Sequence, residues 1–157
     1  MEYKISYPYK YVGLGGSFDH LHEGHHELLQ TAFKMGEKVG IALTTNELHF
    51  GKEIEELIEP YNIRKEHLED FIINKLGKKK EEFVIMPLKD PFGVAITDEN
   101  LQAHVSSLET YKMALKINDL RMERGLAPLV LIVIPLVQNE GGKKISSSDI
   151  RKKIAKK

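Results

Sequence analysis

Two histidines, His22 and His25, follow a glycine pair and open an amphipathic stretch of the chain. The apolar segment Tyr11–Leu14 runs into those glycines, Gly15 and Gly16, so the order is that of a strand, a turn and a helix N-terminus. Unpaired amides at a helix N-terminus carry the positive end of the helix dipole and bind anions. Residues three apart share one face of the first helical turn. We therefore interpret this stretch as a clamp for the phosphates of a nucleotide.

A second polar group lies near the end of the sequence. The hydroxyls of Ser146, Ser147 and Ser148 stand at a predicted helix start, where they could donate to phosphate oxygens. Lys144 and Arg151 add positive charge, and the Arg151 guanidinium can bind an anion in fork geometry. A serine run alone is a modest signal because serine is also a favoured helix cap. Together with the histidine pair it becomes specific.

Three other interpretations of these motifs are weaker. Phe18 stands where a dinucleotide-binding fingerprint needs its third glycine, which argues against hydride transfer. Gly142-Lys143-Lys144 lacks the upstream glycine and the following hydroxyl residue of a P-loop. His22-Glu23-Gly24-His25 is one residue short of the zinc-protease motif, and histidines without cysteines or a second cluster make a structural zinc site improbable. We expect no metal ion held by the protein itself.

Composition indicates an ordinary globular chain. The sequence has 157 residues, zero formal net charge and no cysteine. We therefore expect one domain over residues 1–157, with neither disulfides nor thiol chemistry. Zero net charge argues against a dedicated nucleic-acid or anionic-membrane binder. No apolar run is long enough for a membrane span, and Met1–Tyr11 lacks a signal-peptide core, so we expect a cytoplasmic protein.

Strand and helix patterns alternate along the chain. Strands are predicted from short apolar runs at Tyr11–Leu14, Val39–Leu43, Glu82–Leu88, Ala103–Ser106 and Leu129–Ile134, the last of these the most clearly buried. Helices are predicted at Gly24–Met35 with Gly36 as a C-terminal stop, from Asn62 onward, from a Ser107 cap to Arg124, and over Ser146–Lys157. The second helix is expected to bury Ile63, His67, Leu68, Phe71 and Ile72. The alternation predicts an α/β fold, a Rossmann-like open parallel sheet of about five strands with helices on both faces.

The two polar motifs together resemble the signatures of the nucleotidyltransferase superfamily, to which class I aminoacyl-tRNA synthetases are related. Within it the chain resembles the archaeal and eukaryotic type of phosphopantetheine adenylyltransferase over residues 11–154. The opening Gly15–His25 matches, with Ser17 where threonine is usual. Further matches are Thr45–Leu48 with Lys52, Glu59–Tyr61 with Arg64, Asp90–Gly93, Ser107–Thr110, Ile117-Asn118 and Arg121–Leu126. Leu108 departs from the family pattern, in which an acidic residue is common.

The resemblance implies adenylyl transfer from ATP to 4'-phosphopantetheine, giving dephospho-coenzyme A and pyrophosphate. It implies that His25 stabilises the transition state at the α-phosphate and that His22 contacts the β- or γ-phosphate. Ser17 would bridge the two substrates, and Lys52 would hold the phosphate of phosphopantetheine. The remaining nucleotide-binding residues would be Gly16, Phe18, Lys144, Ser146, Ser147, Ser148 and Arg151. Mg²⁺ would accompany the ATP phosphates with few protein ligands.

Several alternatives stay open at this point. Other nucleotidyltransferases, acting on FMN, nicotinamide mononucleotide or an alcohol phosphate with CTP, share both motifs. A non-catalytic nucleotide-binding regulator would bind without releasing pyrophosphate, and a nucleic-acid binder would rest on the basic tail alone. Arg64 can be read as an exposed residue of a first helical turn, and Glu109 as a partner of a helix dipole. Asp19 can be read as a residue that orients the loop or a histidine. A homo-oligomer is compatible with the sequence.

Overall fold

The computed structural model describes residues 6–49 and 58–135. Five strands run through this part of the chain: β1 (Tyr9–Gly16), β2 (Gly36–Thr44), β3 (Phe83–Leu88), β4 (Ala103–Ser107) and β5 (Val130–Ile134). The α-helices of the same part are α1 (Glu23–Met35), α2 (Tyr61–Asp70) and α3 (Tyr111–Glu123). None of these helices is long and apolar enough to span a bilayer.

The strands form one parallel sheet in the order β3-β2-β1-β4-β5. The chain first builds outward from β1 to β3 and then returns to the other side of β1 with β4. In such a sheet the topological switch lies between β1 and β4, where ligands bind at the carboxyl ends of the strands. The predicted α/β fold is confirmed.

The two faces of the sheet are covered unequally. The larger core lies on one face, where Leu29 and Phe33 of α1, Leu68 of α2 and Ile72 of the following π-helical segment Phe71–Lys75 cluster with residues of β1 such as Val12. A smaller core on the opposite face contains Leu101, Ile117 and Leu129, beside the single-turn helix Gly93–Ile96. Helices therefore cover both faces, as predicted. On the opposite face, Leu101 lies over Gly13 and the Tyr11 ring lies over Gly40, and a cleft is lined by these residues and Gly15.

The strand β1 is longer than predicted. Gly15 and Gly16 continue the ladder by pairing with Ala42 and Leu43 of β2, because the partner strand supplies their hydrogen bonds. The turn after β1 is therefore made by non-glycine residues, and Phe18 and His20 both adopt a φ of 48°. Such left-handed backbone persists where surrounding contacts fix it.

Gly36 ends α1, as predicted. It does so in an extended conformation, with φ −116°, and starts β2 directly. A Cβ atom at this position would lie 2.7 Å from Val12 Cγ2, so glycine is needed there for space in the core.

The predicted buried face of the second helix is wrong in part. Leu68 and Ile72 are buried, whereas Ile63 is 40% exposed and His67 is also exposed. Arg64 is fully buried in their place. Its guanidinium finds backbone and hydroxyl acceptors on neighbouring segments, which the apolar pattern of the sequence does not indicate.

Two further elements differ from prediction. The helix α3 begins at Tyr111 after the cap residue Thr110, because Ser107 instead pairs with Ile134 as the last residue of β4. The strand β5 is an edge strand rather than a fully buried one, and Val130 and Val133 are exposed there. The predicted helix over Ser146–Lys157 lies outside the described residues.

Candidate active site

His22 and His25 cap the start of α1 reciprocally. His22 has an extended backbone, and its Nδ1 accepts a hydrogen bond from the Gly24 amide at 3.1 Å. The His22 amide in turn donates to His25 Nδ1 at 3.3 Å. The two imidazole rings stack with centroids 3.9 Å apart. The predicted shared face of the first turn is therefore present.

This capping determines which nitrogen of His25 carries a proton. Burial, followed by the neighbouring His22 and His26, lowers the pKa of His25 from 6.5 to about 3. The ring is therefore neutral at physiological pH, and its Nδ1 is occupied as an acceptor. A neutral imidazole has one N–H, so Nε2 must carry it. His25 is thus a preset hydrogen-bond donor, suited to a phosphate oxygen.

Arg64 ties together the segments around the turn after β1. Its Nε donates to the Glu59 carbonyl at 2.7 Å, and one terminal nitrogen donates to the Ser17 carbonyl at 2.9 Å. The same nitrogen reaches Thr44 Oγ1, at the end of β2, at 3.2 Å. Burial lowers the pKa of Arg64, while the nearby carboxylates of Asp19 and Glu59 oppose that shift. The guanidinium remains charged, since arginine stays protonated in proteins.

Asp19 and Glu59 brace the turn from its other side. Asp19 Oδ1 accepts the Glu59 amide at 2.9 Å, and Glu59 Oε1 accepts the His20 amide at 2.9 Å. The side chains of Asp19, His20 and Glu59 place oxygen and nitrogen atoms within 4.8 Å of one another, a donor set that suits a metal ion. Both carboxylates, however, accept backbone N–H groups and lie near the Arg64 charge. The observed contacts therefore order the loop, as expected for Asp19.

A cleft of about 560 Å³ lies on the face of the sheet opposite the larger core. Its floor is made by residues with little or no side chain: Gly13, Gly15, Gly40 and Ala42. Mostly apolar side chains line its walls, among them Met86, Leu88, Phe92, Met113 and Ile117. The cleft reaches Gly16 and Ser17 at the carboxyl end of β1, next to Phe18, whose ring lies 5.4 Å from that of His25. The segment Ser17–Phe18 therefore links the end of the cleft to the histidine pair.

Two polar groups of the cleft have no hydrogen-bond partner among the described residues. They are His104 Nδ1 and Ser106 Oγ, both buried and both on β4. Burial lowers the pKa of His104 from 6.5 to about 4, so its ring is also neutral at physiological pH. Sequence reasoning singled out neither residue, since their strand pattern gives no sign of a cleft.

Acid is expected to weaken the fold through the neutral rings of His25 and His104. Their folded-state pKa values, about 3 and about 4, lie below the unfolded value of 6.5. Between these values the unfolded chain binds protons that the folded chain does not, so the free energy of unfolding falls as the pH falls below 6.5. Above that pH their contribution is constant. From pH 6.5 to 5, each ring should contribute a loss of about 1–2 kcal/mol.

Urea unfolding at pH 5 and pH 8 measures this dependence. The His104→Leu variant should lose less stability than the unsubstituted chain between the two pH values. Equal losses in the two proteins would contradict the assignment of His104 as a ring held neutral by burial.

The structure places only some of the predicted site residues. Gly16, Ser17, Phe18, His22 and His25 come together around the end of β1 and the start of α1. Phe18 is 2% exposed and belongs to the core. The other predicted residues lie outside the described part of the chain: Lys52, Lys144, Ser146, Ser147, Ser148 and Arg151.

The chain matches the cytidylyltransferase-like family over residues 14–153. A phosphopantetheine adenylyltransferase of Methanothermobacter thermautotrophicus is 40% identical over 144 residues, which are 92% of this chain and 84% of that protein. The chain belongs to the phosphopantetheine adenylyltransferase family. The corresponding protein of Pyrococcus furiosus is 43% identical over 143 residues, covering 91% of this chain and 88% of its own length. The family resemblance read from the sequence motifs is confirmed.

A solved structure supports the same architecture. A protein of unknown function from Archaeoglobus fulgidus superposes with a TM-score of 0.70 and 31% identity, covering 81% of this chain and 99% of that one. This family membership, with the neutral histidine pair, is the basis of the function proposed next.

Proposed function

We propose that the protein transfers the adenylyl group of ATP to 4'-phosphopantetheine, giving dephospho-coenzyme A and pyrophosphate. A phosphate oxygen of the acceptor forms the new bond to the α-phosphorus of ATP. The bond from that phosphorus to the oxygen bridging the β-phosphorus breaks, and pyrophosphate leaves with its electron pair. The attacking phosphate is already largely ionised at neutral pH, so no general base is needed.

The observation that carries the proposal is the neutral His25 donor at the start of α1, which follows the end of the cleft along the chain. Charge grows on the oxygens of the α-phosphate as the reaction proceeds, and a preset N–H aimed at them stabilises the transition state. His25 Nε2 has the proton for this role because Nδ1 is held by the His22 amide. The stacked His22 ring would reach the neighbouring β- or γ-phosphate. Ser17, at the end of the cleft, would contact both substrates.

The cleft supports an elongated acceptor. Its walls are largely apolar, with a few polar groups on β4, and one end reaches Gly16 and Ser17. The phosphopantetheine arm has a matching composition, since apolar carbons alternate with amides. The arm would lie along the sheet, with its phosphate near Ser17. Lys52 is proposed as the residue that holds this phosphate.

The rest of the nucleotide site is part of the same proposal. The backbone of Gly16 and Phe18 would bind ATP from one wall, and the triphosphate would be held from the opposite wall by Lys144, Ser146, Ser147, Ser148 and Arg151. Mg²⁺ prefers oxygen ligands. The groups at the start of α1 are imidazoles and amides, which suit phosphate, so the ion would take its oxygens mainly from ATP and water. It would neutralise phosphate charge when bound.

The same proposal covers the setting of the reaction. We place the enzyme in the cytoplasm, because both substrates are multiply charged and do not cross a lipid bilayer unaided. We also propose that residues 1–157 form one domain.

Pyrophosphate release tests the proposed function. The purified chain with ATP and Mg²⁺ should release pyrophosphate with 4'-phosphopantetheine, and not with FMN or nicotinamide mononucleotide. Release with only one of the other acceptors would support adenylyl transfer but contradict 4'-phosphopantetheine as the acceptor. ATP binding without release in any arm would indicate a nucleotide-binding regulator.

A further inference from the structure

We propose that His104 is a specificity-determining residue, whose imidazole hydrogen-bonds an amide of the acceptor inside the cleft. This inference rests on the proposed function, since it concerns the acceptor of that same reaction. It adds a residue that neither the histidine pair nor the serine motif includes.

The position of His104 in the sheet directs its ring into the cleft. His104 is the register partner of Gly13 on β1 and of Leu131 on β5. Register partners in a parallel sheet present their side chains to the same face. Leu101 lies over Gly13, and both Gly13 and His104 line the cleft on this face.

The ring has an unmet hydrogen-bonding need. His104 Nδ1 is buried and has no partner among the described residues. A buried polar atom without a partner is uncommon in folded proteins and destabilises them, so a group supplied by a ligand would be favourable there. A neutral imidazole offers one N–H and one acceptor nitrogen, and an amide offers the complementary C=O and N–H. The neutral ring thus suits an amide better than a charged group.

The distance along the strands places His104 beside the pantetheine arm of the acceptor rather than beside its reacting phosphate. Gly13, beside His104, precedes Gly16 by three residues, which corresponds to about 10 Å at 3.3 Å per residue. The phosphate of the acceptor must lie near Ser17 and the histidine pair, so His104 meets the acceptor several bonds away from it. The amides of the pantetheine arm lie in that part of the molecule. Ser106, two residues nearer the carboxyl end of β4, offers on the same face a hydroxyl that also has no hydrogen-bond partner among the described residues.

An acceptor analogue that lacks one amide, combined with substitution of His104, tests the inference. The acceptors are 4'-phosphopantetheine and an analogue in which two methylene groups replace the amide farther from the phosphate. In the unsubstituted enzyme, the analogue should lower kcat/KM by about tenfold, the value of one hydrogen bond. The His104→Leu variant should lower kcat/KM for 4'-phosphopantetheine by a similar factor, mainly through KM, with the KM for ATP unchanged. It should use the analogue as well as the unsubstituted enzyme does.

The possible results distinguish the role of His104 from the proposed adenylyl transfer on which it rests. His104→Gln, which keeps a donor and an acceptor, should recover part of the lost kcat/KM. Equal losses of His104→Leu with both acceptors, or no loss with either, would overturn the role of His104 while leaving adenylyl transfer intact. If the unsubstituted enzyme had the same kcat/KM for both acceptors, that result alone would overturn the role of His104. Failure of that enzyme to release pyrophosphate would instead overturn the proposed function.

Discussion

Replacing His25 with alanine is expected to lower kcat for pyrophosphate release by about 100- to 1,000-fold, the usual effect of losing one transition-state hydrogen-bond donor. The KM values for both substrates should change little, because the bond from Nε2 strengthens only as charge develops on the α-phosphate. Steady-state kinetics with ATP and 4'-phosphopantetheine measures this effect. His25→Gln, which keeps an N–H donor, should retain more activity than the alanine variant.

The neighbouring His26 provides the matched control. Its ring stacks on Phe71, 4.2 Å away and parallel to it, instead of pairing with the His22 ring. His26→Ala should therefore keep kcat within about threefold, as expected for a substitution that removes no transition-state contact. Equal losses in the two alanine variants would mean that the helix start, and not the Nε2 donor, had been disturbed.

Replacing Arg64 with methionine is expected to lower the free energy of unfolding by about 3–5 kcal/mol, as is typical when one member of a buried charge group is removed. The variant would leave the carbonyl of Ser17 and the hydroxyl of Thr44 without this donor, and the buried Asp19 without the guanidinium charge beside it. Because Ser17 belongs to the turn that carries the site, kcat should fall as well. Urea unfolding and pyrophosphate release under stabilising conditions measure the two effects.

Arg121 is the matched control for this second experiment. It is 1% exposed, and its guanidinium donates to the carbonyls of Ala127, Ala95 and Asp98. Arg121→Met should therefore destabilise the fold comparably. Its kinetic effect should fall on the KM for the acceptor, because Ala95 and Asp98 line the cleft. An Arg64 variant that shifted only the acceptor KM would contradict the role assigned to the turn.

The parts of the fold that followed from sequence are those set by local pattern. Runs such as Val39–Leu43 are almost wholly apolar, which is typical of an inner strand of a parallel sheet, and this run lies within β2. The stacked geometry of His22 and His25 likewise follows from their spacing on a first helical turn. Both features depend on neighbours within a few residues.

The features that sequence could not supply depend on distant segments. Arg64 looks like an exposed residue because a charged side chain is rarely buried. Its acceptors come from the ends of β1 and β2 and from Glu59, and only the folded sheet brings these together. The cleft side of His104 is hidden for the same reason, since its face is set by pairing with Gly13, far away in sequence.

The pairing between β1 and β4 is the shortest in the sheet. The two strands share only the register pairs Val12–Ala103 and Gly13–His104, whereas β1 and β2 pair from Tyr9 to Gly16. The cleft thus lies across the shortest strand pairing, and a ligand bound in it would contact both β1 and β4 and so link the two parts of the sheet. Substrate occupancy would then contribute to the cohesion of the molecule, by about 2.7 kcal/mol at a hundred times the dissociation constant. The free energy of unfolding of this enzyme would thereby depend on the concentrations of its own substrates.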